Sequence, residues 1–129
     1  MSSINLKFSS YNIVIKLRLT PTANAIKSIL PCKSIIQTWG EEIYFEIPTQ
    51  KDLSLDNTAK DVINLGEIAY WIEGKCIAIG YGRTPISHNN EIRLAAKTNI
   101  WGDAKLNIEK LKNVKVLFGL FRESTKKYF

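Results

Sequence analysis

Glu41 and Glu42 follow Gly40 and stand beside Trp39 in the run QTWGEEIYFEIP, Gln37 to Pro48. Two neighbouring carboxyls suit general acid and base work, because paired acids can split their pKa values and act from opposite protonation states. On a strand, however, consecutive residues point to opposite faces, so the two meet one substrate only if Gly40 forms a bulge. A single carboxylate on the face of Trp39 is the most this pair offers, and a solvated strand glutamate is the plainer reading.

The guanidinium groups of Arg83 and Arg93 are further candidates. Arg93 reads as a solvated strand position. Arg83 reads as a loop residue bonding carbonyls or a carboxylate, with a binding role left open. Gly80, Tyr81 and Gly82 make a G-x-G, but Thr84 and Pro85 follow where a dinucleotide loop needs a third glycine and a helix start, so this is a turn. His88 is the single histidine and has no ligand set spaced around it, so neither a metal nor a cofactor is expected. Cys32 and Cys76 show neither metal nor redox-pair spacing. Buried inert thiols are the first reading, a disulfide the second and a reactive thiol the third.

The elements that must position these groups are mostly strands. Ile13, Ile15, Leu17 and Leu19 alternate with Asn12, Val14, Lys16 and Arg18, the period of a strand with one face on a core. Leu6 and Phe8 begin a similar pattern, so the N-terminus reads as a hairpin. Thr20 before Pro21 suits a helix entry, and Ile26, Ile29 and Leu30 keep helical spacing until Pro31 ends the run. The chain from Ser34 to Ile47 reads as strand interrupted at Gly40 by a bulge or a close backbone approach. The polar stretch from Thr49 to Lys60 is a surface loop. Val62 to Trp71 and Lys75 to Tyr81 form a hairpin around Glu73 and Gly74. After a loop over Thr84 to Asn90, Glu91 to Trp101 is a strand. Leu106, Ile108 and Leu111 with Lys110 and Lys112 form a short amphipathic helix, and Val114 to Phe121 is a last strand before a basic tail.

Tyr70 and Trp71 are strand neighbours and must divide between inside and outside, which leaves one of them exposed for stacking on a ligand. Trp39 and Trp101, each followed by glycine, suit either core packing or the lining of a binding face.

A chain of 129 residues fits one domain, 1–129, with one core. Its 45% apolar and 23% charged residues exclude disordered and fibrous classes. Apolar runs such as CIAI at Cys76 to Ile79 fall far short of the roughly 20 residues that span a bilayer. No secretion signal is recognised, so a cytoplasmic location without membrane contact is expected. The net charge of +6 is scattered, mildly enriched from Lys105 to Lys127. Nucleic acid is therefore the least favoured partner, since it requires charges gathered on one face with exposed aromatics.

Taken in order, the hairpin, the helix after proline, TWGEEIYF, GEIAYW, GKCIAIGYGRTPIS, TNIWG and IEKLK resemble the prokaryotic cyclophilin-like family, minimal cyclophilin-fold proteins of unknown function. The resemblance covers about Ile13 to Phe121, and TWGEEIYF with GRTPIS carries most of its specificity. It implies a mainly β fold: a closed, mostly antiparallel, eight-stranded barrel with two short capping helices and a groove on its outer wall.

Cyclophilins rotate X-Pro bonds, with a barrier near 20 kcal/mol, by an arginine aimed at the prolyl nitrogen beside an aromatic pocket. The comparable segment here, Ile36 to Tyr44, contains no arginine, and Ile77, Ala78 and Ile79 stand where cyclophilins carry phenylalanine. The resemblance thus implies a groove that binds a small molecule or a short extended peptide without standard cyclophilin catalysis. Its expected lining is Trp39, Glu41, Tyr44, Trp71, Arg83 and Asn99, with no catalytic residue assigned. The alternatives are a prolyl isomerase with a displaced arginine, or another enzyme using a groove glutamate. A monomer and a homodimer both fit.

Overall fold

Alternation is realised first in the N-terminal hairpin. In the computed structural model, which describes residues 3–8, 11–112 and 118–122, β1 (Ser3–Lys7) pairs antiparallel with β2 (Asn12–Leu17). Ile13, Ile15 and Leu17 turn inward while Asn12, Val14 and Lys16 face solvent. The Thr20 side chain accepts a hydrogen bond from Ala23 N at 3.1 Å and so caps α1 (Pro21–Ser28), whose Ala23 and Ile26 face the core.

The next strands are β3 (Cys32–Ser34), β4 (Gln37–Thr38) and β5 (Glu42–Glu46). Of the two expectations for Gly40, the close backbone approach is realised, within a hairpin turn between β4 and β5 and without a bulge. Gly40 has φ +61°, and a Cβ there would stand 2.8 Å from Arg83 O, so an L side chain is excluded both by conformation and by space. The expected strand from Val62 to Trp71 divides into β6 (Lys60–Ile63) and β7 (Glu67–Trp71). Gly66 (φ +98°) breaks it by approaching Ala104, whose N–H donates to Gly66 O at 2.8 Å.

Next come β8 (Cys76–Gly80), β9 (Ile92–Asp103), α2 (Ile108–Lys112) and β10 (Phe118–Arg122). The beginning of the expected last strand, 114–117, and the basic tail, 123–129, lie outside the described residues.

Hydrogen-bonded neighbours run β3-β10-β1-β2-β9-β7-β8-β5-β4, with β6 added on β9, and every pairing is antiparallel. The sheet curls, but among the described residues no ladder joins its two ends. The closed barrel is therefore corrected to an open one. The end strands β3 and β4 are separated in the chain only by Ile35 and Ile36, and each pairs with a different neighbour. Ile36 dips into the core at 8% exposure while Ile35 is 69% exposed, so the chain bends at the seam.

Two apolar clusters result. The larger fills the concave side with Ile4, Leu6, Ile15, Ile26, Phe45, Tyr70, Ile79 and Trp101 among others. The smaller lies on the opposite face of the sheet, where Ile63, Ile92 and Leu94 cover Ala69, Ala78 and Ile100. A Cβ on Gly80 would stand 2.4 Å from Ile92 Cγ2, so β9 passes tightly over β8 on that outer face. Among the described residues no helix is long and apolar enough to cross a membrane.

Candidate functional site

Parity along β5 and β8 builds the site. Because Ile43 and Phe45 belong to the inner cluster, Glu42 and Tyr44 must take the outer face. Across the ladder Ile77 and Ile79 point inward, which turns Cys76 and Ala78 outward beside Trp71 of β7, the register partner of Cys76. The leading half of β9 supplies the other wall.

The result is a pocket of about 190 Å³ lined by Trp39, Glu42, Tyr44, Trp71, Cys76 and Ala78, and by Leu94, Ala95, Ala96 and Thr98 of β9. Its wall is mainly apolar, with three aromatic rings. Gln37 receives a 3.2 Å hydrogen bond from the Tyr44 hydroxyl, and Trp39 N donates to Glu42 O at 3.0 Å. The hairpin turn thus returns Trp39 to the face of Glu42 and Tyr44. The Thr98 hydroxyl is engaged by Lys60 O at 3.1 Å.

Glu42 is the group with unspent chemistry. It is 6% exposed, and its Oε1 has no hydrogen-bond partner. Burial pushes its carboxyl up to about 7, because ionisation there leaves a charge without water or a counter-ion. Desolvation also raises the Cys76 thiol, with Glu46 and Glu42 adding to the effect, so Cys76 stays a thiol near neutral pH. Both Cys32 and Cys76 are free.

Of the six residues expected along a groove, Trp39, Tyr44 and Trp71 line this pocket. The other three stand elsewhere. Glu41 Oε1 accepts Arg83 N–H at 3.2 Å and Oε2 lies 3.9 Å from Lys112 Nζ. The exposed Arg83 guanidinium donates to Ser87 O at 3.0 Å. Asn99 is fully buried, where its amide donates to Thr22 Oγ1 at 3.0 Å and Ser54 O at 2.9 Å, while its carbonyl accepts Asp56 N–H at 2.9 Å. It ties a loop and α1 to β9. Arg93 pairs with Glu91 at 2.5 Å and Asp61 at 3.3 Å.

Sequence reasoning singled out both glutamates, left open which of them faces the groove, and put Glu41 in the expected lining. The signal was present: Ile43 and Phe45 fix the parity, so Glu42 shares the face of Tyr44 and Glu41 does not. The β9 wall had no such signal, because a strand folding over a distant hairpin leaves no local pattern. Trp101 packs inside, its indole donating to Ala69 O at 3.1 Å. Among the described residues, no arginine lines the pocket and no three His, Cys, Asp or Glu side chains gather as a metal set.

An open antiparallel barrel with a pocket on its outer wall is the class that this geometry defines. The Cyclophilin-like family model matches residues 2–117, and the chain belongs to that family. The solution structure of a hypothetical protein from Archaeoglobus fulgidus is similar at 33% identity and TM-score 0.76, with 95% of each chain covered. Comparison with curated proteins finds no match.

Proposed function

We propose that this protein binds a small molecule, or one side chain of a short extended peptide, in the pocket between β5, β8 and β9, and that it does so without standard cyclophilin catalysis. The carrying observation is the Glu42 carboxyl, buried and half-unpartnered among Trp39, Tyr44 and Trp71. A buried polar atom without a partner costs about 1–3 kcal/mol. Holding one in an aromatic pocket makes sense when a ligand completes its hydrogen bonds. The volume of about 190 Å³ is below the roughly 300–1,000 Å³ of drug-sized sites, so the pocket suits a compact group.

Among the described residues no arginine is aimed into the pocket for isomerase chemistry: Arg83 and Arg93 are engaged by Ser87, Glu91 and Asp61 outside its lining. An enzyme using Glu42 as its acid or base is the second reading, favoured by the rise of that carboxyl to about 7.

The three tryptophans make the test direct. A fragment and dipeptide library observed through the indole N–H resonances should move Trp39 and Trp71 and leave the interior Trp101 still. In a protease-coupled assay on a proline tetrapeptide, no turnover should be seen. Turnover, or ligands that never disturb Trp39 and Trp71, would overturn the proposal.

A further inference from the structure

Resting on the pocket's role as a binding site, a narrower statement about its ligand follows. We infer that the pocket takes a small organic monocation of the alkylated ammonium class, with its charge against Glu42 and its apolar substituents against Trp39, Tyr44 and Trp71.

The argument begins with what the walls exclude. Among the described residues, no lysine, arginine or histidine lines the pocket, so an anion would meet no opposite charge there. It would also face Glu42 and the negative ring faces of the aromatic residues. A purely apolar ligand would leave Glu42 Oε1 buried and still unpartnered, which forfeits the hydrogen bond that the site most lacks. A neutral donor satisfies the oxygen but draws nothing further from the rings. A cation gains from both. Its charge compensates a carboxylate that burial otherwise keeps protonated, and aromatic rings around a desolvated cation attract it through their negative faces. Alkyl groups on the nitrogen fill the apolar remainder contributed by Ala78, Leu94 and Ala96.

The same geometry sets a pH dependence. The other titratable groups facing Glu42 are Tyr44, whose hydroxyl donates to Gln37, and Cys76, held in its thiol form; Trp39, Trp71 and the β9 residues lining the pocket do not titrate. Cation binding requires the ionised carboxylate. Affinity for a permanently charged ligand should therefore rise with pH through about 7 and release a proton on the acid side.

Choline is a suitable probe: its quaternary nitrogen has a charge independent of pH and no N–H, so it meets Glu42 by charge while its hydroxyl is the donor. The control is its uncharged isostere with carbon in place of nitrogen, which keeps that hydroxyl and so isolates the charge. The expected result is choline binding that shifts the Trp39 and Trp71 indole signals and strengthens roughly thirtyfold between about pH 5.5 and about pH 8. Glu42→Gln should weaken it by at least about tenfold and abolish the pH dependence. The wild-type pH series needs no variant and stands even if Glu42→Gln folds poorly. Should the isostere bind as well as choline, the pocket remains a binding site and the assignment of charge is overturned. If neither probe moves the two indoles while library fragments do, the cation inference alone fails. If nothing moves them, the binding reading fails with it.

Discussion

At the scale of single residues, Glu42 couples the pocket to stability. Below about pH 4.5 the carboxyl is protonated in both folded and unfolded chains and contributes no pH dependence. Between about 4.5 and about 7 the unfolded chain releases a proton that the folded chain retains. Stability therefore falls across that window and levels off above it. A shift of this size corresponds to on the order of 3 kcal/mol. Glu67 and Asp103 work in the opposite sense at lower pH. Burial alone would raise Glu67, but Lys60, the Asn64 backbone and Arg18 outweigh it and hold the carboxyl low; the Arg18 hydrogen bond holds Asp103 low. Their contributions are lost as pH falls below the usual carboxylate range, outside the Glu42 window. Urea melts at a series of pH values should show the decline between 4.5 and 7, and Glu42→Gln should flatten it and be the more stable protein at about pH 8. A variant that keeps the full decline would assign it to another group.

At the scale of elements, the β7–β8 hairpin shows how a backbone position sets a pocket wall. A Cβ on Gly74 would stand 2.2 Å from Trp71 Cζ3, so the indole rests against the turn and is held at the pocket. The ring can rotate away, so Gly74→Ala should leave the fold intact at an overpacking cost of about 1–3 kcal/mol while displacing Trp71. The Trp71 indole signal should shift, that of Trp101 should not, and ligand affinity should drop on the order of tenfold. An unmoved Trp71 signal would show that the turn does not hold the ring. Elements of this kind were largely legible in the sequence. The hairpin of β1 and β2, the cap at Thr20 and the turn at Glu73 and Gly74 follow from local alternation and turn chemistry. Gly40 was legible as a break or a close backbone approach but not as a hairpin turn, and the partner it approaches, the Arg83 backbone, lies in a distant loop that no local pattern points to. The gap between β6 and β7 was hidden for the same reason: Gly66 is fixed by Ala104. In the site, Trp39, Tyr44 and Trp71 entered the expected lining with the family-like motifs, while alternation alone left Trp39 between core and groove and did not choose between Tyr70 and Trp71. The wall from Leu94 to Thr98 was not legible, because which strand covers which face is decided by tertiary packing.

For the whole molecule, the decisive feature is the seam between β3 and β4, the place where a family resemblance and local pattern led to a closed barrel. Closure depends on which strands meet after the sheet has curled, and no period in the sequence encodes it. At the seam, Ser34 Oγ donates to Glu46 O at 2.6 Å, a side-chain bond in place of a backbone ladder. An open seam with one such clamp should exchange its amides faster than the centre of the sheet, where β7 is paired on both sides by β8 and β9. Removing the clamp with Ser34→Ala should cost roughly 0.5–1.5 kcal/mol and accelerate exchange at Ile35, Ile36 and the β4 amides, leaving β7 and β8 protected. A barrel closed by backbone hydrogen bonds in solution would respond differently: exchange along 32–38 would be slow and would not change with the Ser34 hydroxyl. Neither Ser34 nor Glu46 lines the pocket, although β4 and β5 border both the pocket and the seam, so Ser34→Ala should leave choline affinity nearly unchanged. Loss of ligand binding together with faster seam exchange would mean that the barrel opens as one unit and that the outer wall depends on the edge for its shape.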